Sequence, residues 1–258
     1  MQGAVGQNDL KRRLHAGEAA VGSWLSVAHP TVAEVMGQAG FEWLIVDMEH
    51  GIIGIEGVLS LVLAICTTPA APLVRVPWNE PVIIKRVLET GPAGLLIPQI
   101  NSARDVEMAI RSARYPPQGI RGIGCQRAAG FGAWFEEYLD RANEQLLVAV
   151  QVETASALQN LDEILSVEGL DLIFIGANDL SASMGFFNKP GHPCVQEAID
   201  QVLAAARHVG VPVGLMASDV DDAKHRIQQG FQFVGVGSDV GLLSSLCRDI
   251  CRRIKGLT

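Results

Sequence analysis

The stretch Leu146-Leu-Val-Ala-Val-Gln-Val-Glu-Thr154 decides how this chain folds. As a β-strand, it places its three valines on one face and Gln151 and Glu153 on the other, because successive side chains of a strand alternate. A similar stretch follows it, Leu172-Ile-Phe-Ile-Gly-Ala-Asn-Asp179, in which an apolar strand breaks at a glycine and leads to Asp179. Each stretch predicts a buried strand that presents a carboxylate near its C-terminal end.

These two carboxylates suggest a metal site. Glu153 and Asp179 at neighbouring strand ends, with Gln151 and Asn178 beside them, are typical ligands of a hard divalent cation. Taken singly, Glu153 is also explained as a first-turn residue favoured by the helix dipole, and Asp179 as a carboxylate at a helix start. Two carboxylates without a His/Cys cluster would leave coordination positions for water and substrate, which favours Mg²⁺ or Mn²⁺ over structural Zn²⁺.

The rest of the chain repeats the pattern of an apolar strand followed by a helix. Over 258 residues, this alternation without a Pro/Ser-rich linker predicts an α/β fold, a (β/α)₈ TIM barrel, in a single domain of residues 1–258. The predicted strands are 20–27, 43–47, 72–76, 94–99, 146–153, 172–176, 211–216 and 231–236, and a helix is predicted to open at Thr154 after the fifth strand. The main predicted helices are 9–15, 30–40, 55–66, 80–89, 103–114, 134–143, 195–209, 221–229 and 239–254. Irregular loops interrupt the rhythm at 115–133 and 185–193, and the length of the first favours a functional role.

Composition excludes several classes of protein. A hydrophobic content of 48% with 19% charged residues supplies a large core and shows no signature of disorder. The net charge of −8, without a Lys/Arg cluster interleaved with aromatics, argues against a nucleic-acid partner. No signal peptide and no apolar run long enough for a bilayer are evident. The five cysteines form no paired framework, and Cys247 and Cys251 fit helix packing better than a metal or redox site, so we expect a cytoplasmic protein.

Further polar residues fall where strands are predicted to end, which is the working face of such a barrel. Asp47, Glu49 and His50 follow the second strand, Arg75 ends the third and Gln99 ends the fourth. His50 could act as a general base near neutral pH, or be a surface or capping residue. Arg75 could stabilise an oxyanion, or form a salt bridge across the barrel mouth. Their shared location favours one joint site.

Two other kinds of chemistry are less well supported. A Schiff-base enzyme needs a lysine at a strand end, and the lysines here lie in helices, in an outer loop or at the tail. They are Lys11, Lys85, Lys189, Lys224 and Lys255. The segment Gly235-Val-Gly-Ser-Asp-Val-Gly241 has the wrong spacing and place for a dinucleotide-binding loop. It is equally well explained as a phosphate- or carboxylate-binding turn and as a plain tight turn.

Several motifs together resemble one enzyme family over nearly the whole chain. They are Phe41-Glu-Trp-Leu-Ile-Val-Asp-Met-Glu-His50, Val74-Arg-Val-Pro-Trp-Asn-Glu-Pro-Val-Ile-Ile-Lys-Arg86, Tyr115-Pro-Pro-Gln-Gly-Ile-Arg-Gly122, Val150-Gln-Val-Glu153 and Gly176-Ala-Asn-Asp-Leu180. The chain resembles the class II, metal-dependent pyruvate aldolases of the HpcH/HpaI type. Its features are most like those of the 2-dehydro-3-deoxyglucarate and 4-hydroxy-2-oxoheptanedioate aldolases in that family.

The resemblance implies a metal and substrate site. Glu153 and Asp179 would bind Mg²⁺, with Mn²⁺ or Co²⁺ as alternatives. Gln151 and the segment Gly176, Ala177 and Asn178 would contact the pyruvyl part of the substrate. The most similar members carry Ser where this chain has Asn178, which affects the site directly.

The resemblance also implies catalytic residues and an assembly. His50 would be the base, Arg75 would stabilise the developing enolate, and Asp47 belongs to the same motif. Glu89, usually an aspartate in the family, would support the histidine. Family members are homo-oligomers, hexamers built as trimers of dimers, that exchange their last helix between subunits. The residues around His50 depart from the family pattern at Met48 and at 51–53.

The expected reaction is retro-aldol cleavage of a 4-hydroxy-2-oxo acid, a 2-keto-3-deoxy sugar acid or a related dicarboxylate, to pyruvate and an aldehyde. Two alternatives remain open. One keeps the same metal site and enolate but acts on oxaloacetate as a decarboxylase, or forms a carbon–carbon bond as a ligase. The other is a barrel without catalysis that binds a metal and an oxo acid. In each case the expected partner is a small oxo acid rather than a nucleic acid or a membrane.

Overall fold

The computed structural model describes residues 7–256 and contains the predicted barrel. Eight parallel strands pair in sequential order, and the last pairs back with the first, so the sheet is closed. The strands are β1 (Ala20–Leu25), β2 (Trp43–Asp47), β3 (Ala71–Arg75), β4 (Gly94–Ile97), β5 (Leu147–Val152), β6 (Leu172–Ile175), β7 (Val213–Ala217) and β8 (Phe233–Ser238). The (β/α)₈ prediction is therefore confirmed.

Helices connect the strands around the outside of the barrel. They are α1 (Asp9–His15), α2 (Pro30–Gln38), α3 (Ile55–Ile65), α4 (Pro81–Leu88), α5 (Ala103–Ala113), α6 (Phe135–Gln145), α7 (Ala155–Gln159), α8 (Leu161–Leu165), α9 (Ala177–Ser183), α10 (Pro193–Val209), α11 (Val220–Gln229) and α12 (Asp239–Lys255). The helix predicted to open at Thr154 is split in two, because Asn160 (φ −103°, ψ 16°) leaves the helical conformation. The loop predicted at 115–133 contains one irregular 3₁₀ segment, Arg127–Gly132.

The predicted starts of two strands were wrong by two residues for one shared reason. Helices α10 and α11 each end at a left-handed glycine, Gly210 (φ 77°) and Gly230 (φ 97°). The next backbone N–H then turns back to the helix, from Val211 to the carbonyl of Ala206 and from Phe231 to that of Arg226. This cap uses the first residue of each predicted strand, so β7 and β8 begin later.

The strands separate two apolar layers, as the alternation of their side chains requires. Val148, Val150 and Val152 belong to the layer between strands and helices, whereas Leu147 and Ala149 point into the barrel. The barrel interior is filled by aromatic rings, among them Trp43 stacked on Phe233 with ring centroids 3.8 Å apart. These rings close the interior beneath the C-terminal rim. A Cβ atom on Gly22 would lie 2.0 Å from the Trp43 ring, so this strand position requires glycine.

The last helix departs from the compact pattern. In α12, Asp239 is the buried residue, and a stripe of apolar side chains along the helix is exposed. We call this stripe the α12 apolar face; it consists of Leu242, Leu243, Leu246, Ile250 and Ile254. No helix within residues 7–256 is long and apolar enough to cross a membrane.

Candidate active site

The C-terminal ends of the strands surround a cleft of 1060 Å³. Its lining includes eight of the ten residues predicted for the site; Glu89 and the buried Glu153 are the two outside it. The eight are Asp47, His50, Arg75, Gln151, Gly176, Ala177, Asn178 and Asp179. The cleft therefore brings together residues from β2, β3, β5 and the β6–α9 turn, which are distant in sequence.

Arg75 is the best-anchored charge in this cleft. Its Nε and Nη2 donate to the two carboxylate oxygens of Asp47 at 2.9 and 2.8 Å, in a bidentate arrangement. Its Nη1 lies 2.9 Å from Glu49 Oε2 and 3.5 Å from Gln151 Oε1. The Arg75 side chain is only 10% exposed. Arg75 thus forms the salt bridges considered above while its guanidinium still faces the cleft.

Asp47 also shapes the turn that carries His50. The same Asp47 Oδ1 accepts hydrogen bonds from the backbone N–H groups of Glu49 (3.0 Å) and His50 (3.3 Å). The His50 side chain is 65% exposed, and its Nε2 is 3.9 Å from Glu49 Oε2. The imidazole is therefore accessible from solvent and can accept a proton from a bound molecule. Glu49, for which no separate role was predicted, lies between His50 and Arg75 and contacts both.

Glu153 is held at the end of β5 in a fully buried position. Its Oε1 accepts a hydrogen bond from the backbone N–H of Gln99 at 2.8 Å, and its Oε2 accepts one from Gln151 Nε2. The turn after β6 passes close by, because a Cβ atom on Gly176 would lie 2.8 Å from Glu153 Cβ and Oε2. The absence of a side chain at Gly176 is what allows this approach.

Burial and neighbouring acids raise the pKa of Glu153 above its ordinary value. Desolvation is the main cause, the hydrogen bonds from Gln99 and Gln151 oppose it, and the negative charges of Glu49 and Asp179 add to it. Desolvation likewise raises the pKa of Glu49, and the charge of Arg75 opposes that shift. Asp179 is therefore near enough to both glutamates for their charges to interact. A site that disfavours negative charge in this way would be stabilised by a cation.

The donor set fits Mg²⁺ or a similar ion. Glu153 and Asp179 offer carboxylate oxygens, and each Glu153 oxygen keeps a lone pair beyond the hydrogen bond that it accepts. Asp179 lies exposed in the first turn of α9. Within residues 7–256, no group of three or more His, Cys, Asp or Glu side chains is placed to hold a metal. Mg²⁺ suits a pair of carboxylates because it usually keeps several water ligands.

One known protein family matches the chain over most of its length. Residues 20–245 match the model of the HpcH/HpaI aldolase/citrate lyase family. The chain belongs to this family. The family resemblance carried by the sequence motifs is thereby confirmed.

Relatives of the HpcH/HpaI family match the chain from end to end. A 4-hydroxy-2-oxo-heptane-1,7-dioate aldolase of Escherichia coli is 41% identical and covers 96% of this chain and 95% of its own length. A hydroxypyruvate/pyruvate aldolase of Pseudomonas aeruginosa is 40% identical, with 96% and 93% covered. The crystal structure of a family protein from Burkholderia cenocepacia superposes with a TM-score of 0.93 at 37% identity, covering 96% of this chain and all of that one.

Of the two predicted residues outside the lining, Glu153 is buried next to the cleft, whereas Glu89 lies away from it. Glu89 caps the C-terminal end of α4, which runs from the rim back towards the start of β4, at the opposite end of the barrel. There its Oε1 accepts from Arg121 Nη2 at 3.3 Å. Arg121 in turn is buried against the Tyr115 ring, 4.4 Å from its centroid. Support of His50 by Glu89 would therefore have to come from a neighbouring subunit.

The turn at 235–241 is used by the fold itself. Ser238 caps α12 through the backbone N–H of Gly241, and the buried Asp239 accepts hydrogen bonds from the N–H groups of Ser26 and Val27. These bonds also explain why β1 ends at Leu25, before the predicted residue 27. A buried carboxylate at this turn disfavours an anion there, so the interpretation as a structural turn is the better one.

Several residues that line the cleft were not predicted. Trp24 and Phe174 form its floor, and Met216 is the exposed member of the otherwise buried strand β7. Only the strand alternation could have indicated these three. Gln196 and Arg226 line its far side from helices, where nothing in the sequence distinguishes them from ordinary helix-surface residues.

Proposed function

We propose that this protein is a divalent-cation-dependent carbon–carbon lyase that cleaves 4-hydroxy-2-oxo acids to pyruvate and an aldehyde. The observation that carries the proposal is the convergence of Arg75, His50 and Asp179 on one cleft, next to the buried Glu153. The names of the two relatives, both aldolases and one of them a pyruvate aldolase, support the same class of reaction.

Glu153 and Asp179 would hold the cation, Mg²⁺ first, with Mn²⁺ or Co²⁺ as alternatives. When bound, such an ion supplies Lewis-acid stabilisation of negative charge on the oxygens of the pyruvyl group. Gln151 and the turn Gly176–Asn178 line the cleft beside this pair and would contact the pyruvyl carboxylate and keto group.

Arg75 would stabilise the enolate that is left when the C3–C4 bond breaks. Its guanidinium is fixed before the substrate arrives, because Asp47 accepts two of its hydrogen bonds and Glu49 forms an ion pair with its Nη1. A donor that is already oriented costs no reorganisation during the reaction, which is why such groups contribute strongly to catalysis. The two carboxylates therefore position Arg75 rather than take part in the chemistry themselves.

His50 would accept the proton of the C4 hydroxyl, directly or through a water molecule. The exposure of this side chain lets it pass that proton to solvent, and the enolate takes up a proton at C3 to give pyruvate. Asp47 sets the position of the His50 backbone and also anchors Arg75, so it links the base to the charge-stabilising group.

A lactate-dehydrogenase-coupled pyruvate assay tests the proposal. The panel is a series of 4-hydroxy-2-oxo acids and oxaloacetate, each with EDTA and with added Mg²⁺, Mn²⁺ or Co²⁺. We expect pyruvate release from 4-hydroxy-2-oxo acids that EDTA abolishes and a divalent cation restores. Turnover of oxaloacetate alone would favour the decarboxylase alternative. Binding of pyruvate with Mg²⁺ but no turnover of any substrate would favour a barrel that only binds.

We also propose that the enzyme is a cytoplasmic homo-oligomer, a hexamer in which α12 packs on a neighbouring subunit. The α12 apolar face is exposed in the single chain and has the amphipathic spacing that helix packing requires. An exposed apolar stripe of this size is unfavourable in water unless another surface covers it. All five cysteines are free thiols, which fits a reducing compartment.

A further inference from the structure

A continuous series of hydrogen bonds joins two loops on the β6–β7 side of the cleft. The backbone N–H of Ser218 donates to Asp222 Oδ2 at 2.9 Å, and Arg226 Nε donates to Asp222 Oδ1 at 2.9 Å. Arg226 Nη2 donates to Gln196 Oε1 at 2.8 Å, and Gln196 Nε2 donates to the carbonyl oxygen of Pro190 at 2.8 Å. We call these five residues the outer brace. All of them line the cleft.

Each nitrogen of the arginine at the centre of the outer brace donates a hydrogen bond within the protein. Its third nitrogen, Nη1, donates to Gln229 Oε1 at 3.3 Å, and its guanidinium lies 6.0 Å from the centroid of the Phe231 ring. The Arg226 side chain is 13% exposed, and its charge is matched by Asp222. Its contacts thus serve to connect α11 with α10 rather than to bind an anion.

The outer brace ties down a loop that is otherwise organised mainly by its own contacts. Within the loop 185–193, the Phe186 ring stacks on His192 with centroids 3.9 Å apart, and the backbone N–H of Lys189 donates to the Phe186 carbonyl. The bond from Gln196 to Pro190 fixes this loop to α10 in the middle of its span. Through Arg226, the same glutamine connects the loop to the end of β7.

The order of strands shows which part of a substrate this wall would meet. In a closed barrel of eight strands, β3 and β7 lie on opposite sides, so Ser218 after β7 faces Arg75 at the end of β3. The residues proposed to hold the pyruvyl group belong to β3, β5 and the β6–α9 turn. The cleft continues on the β7 side, where it can accommodate the substrate chain beyond C4.

We propose that the outer brace positions the wall of the cleft against which the aldehyde half of the substrate lies. Gln196 and Arg226 are positioning residues in this account: they act on the aldehyde half and leave the pyruvyl half unaffected. The inference rests on the proposed aldolase function, since it assigns one side of the same cleft.

The test measures the two halves of the reaction separately in the variant Gln196→Met. This substitution keeps the side-chain volume but removes the hydrogen bonds with Arg226 and Pro190. Exchange of the C3 protons of pyruvate with D₂O, followed by NMR with Mg²⁺ present, reports only on the pyruvyl half. Cleavage of a short and a long 4-hydroxy-2-oxo acid reports on both halves. Glu197→Gln, an exposed neighbour on α10, is the matched control.

We expect Gln196→Met to exchange the C3 protons of pyruvate at a rate within about twofold of the wild type. Its kcat/KM for the longer substrate should fall roughly tenfold or more, because a small misplacement of the substrate lowers the rate by a large factor. The shorter substrate should lose less. Equal losses in exchange and cleavage, or no loss in either, would overturn the inference. If Gln196→Met does not fold, as judged by its Tm, Arg226→Lys is measured in the same way. A wild-type protein that neither exchanges pyruvate protons nor cleaves any substrate would instead refute the proposed function.

Discussion

Arg75 carries a permanent charge that Asp47 and Glu49 hold in place at the rim of the barrel. Because the guanidinium is oriented before any enolate forms, its removal should affect turnover more than substrate binding. We expect Arg75→Ala to lower kcat by about 10² to 10³, the usual effect of losing one preorganised donor. The coupled pyruvate assay measures this. The exposed Arg104→Ala is the control, and an Arg75→Ala enzyme with the kcat of that control would contradict the role.

Glu153 is an acid whose buried position disfavours its charge unless a cation compensates for it. We expect the wild-type Tm to rise with Mg²⁺, by an amount that corresponds to about 2.7 kcal/mol when Mg²⁺ is present at 100 times its Kd. Glu153→Gln should abolish this rise without lowering the Tm of the metal-free protein, because it removes a poorly solvated charge. Thermal melts with Mg²⁺ and with EDTA measure both effects. The exposed Glu163→Gln should respond to Mg²⁺ as the wild type does, and an undiminished response of Glu153→Gln would place the cation elsewhere.

The β6–α9 turn approaches Glu153 because its first residue is glycine. A methyl group at Gly176 would lie 2.8 Å from the Glu153 side chain and 3.0 Å from Gln151 Nε2, so one of these elements would have to move. We expect Gly176→Ala to destabilise the fold by about 1 to 3 kcal/mol and to weaken Mg²⁺ binding. Tm and calorimetric titration measure the two effects. Gly54→Ala, where a methyl group meets nothing within 4 Å, is the control, and equal behaviour of the two variants would show that the close approach is unimportant.

At the level of elements, the barrel was predictable because each buried strand is short, apolar and followed by a helix. The meeting of Arg75 and Gln151 in one cleft was predictable for the same reason, because both lie near the C-terminal ends of strands in a parallel barrel, and such ends meet. Strands β7 and β8 begin later than predicted because of the helix caps at Gly210 and Gly230. The local pattern of apolar residues does not reveal these caps.

The outer brace could not be predicted from the pattern of residues. Asp222 and Arg226 are four residues apart on α11, a spacing that is common on solvent-exposed helix faces. Their link to Gln196 arises only when α10 and α11 pack side by side around β7. Glu89 was predicted from family resemblance alone. It lies away from the cleft of its own chain because α4, whose C-terminal end it caps, runs from the rim towards the opposite end of the barrel.

At the scale of the whole molecule, the α12 apolar face is the surface that remains exposed to water in a single chain. Exposed Leu246 lies at its centre, and a charge there would have to be desolvated if α12 packs on a neighbouring subunit. We expect Leu246→Glu to shift the protein from the proposed hexamer to smaller species, as light scattering after size-exclusion chromatography would show. Arg252→Glu, an exposed residue outside that face, should keep the assembly. A wild-type protein that is monomeric would contradict the packing of α12 on a neighbour.

The position of the cation tests the central claim most directly. A crystal structure of the protein with Mn²⁺ and oxalate, a stable mimic of the pyruvate enolate, would locate the ion by its anomalous scattering. We expect one Mn²⁺ bound by carboxylate oxygens of Glu153 and Asp179, with oxalate on the ion and within hydrogen-bonding distance of Arg75. An ion bound at another place, or oxalate bound away from Arg75, would contradict it.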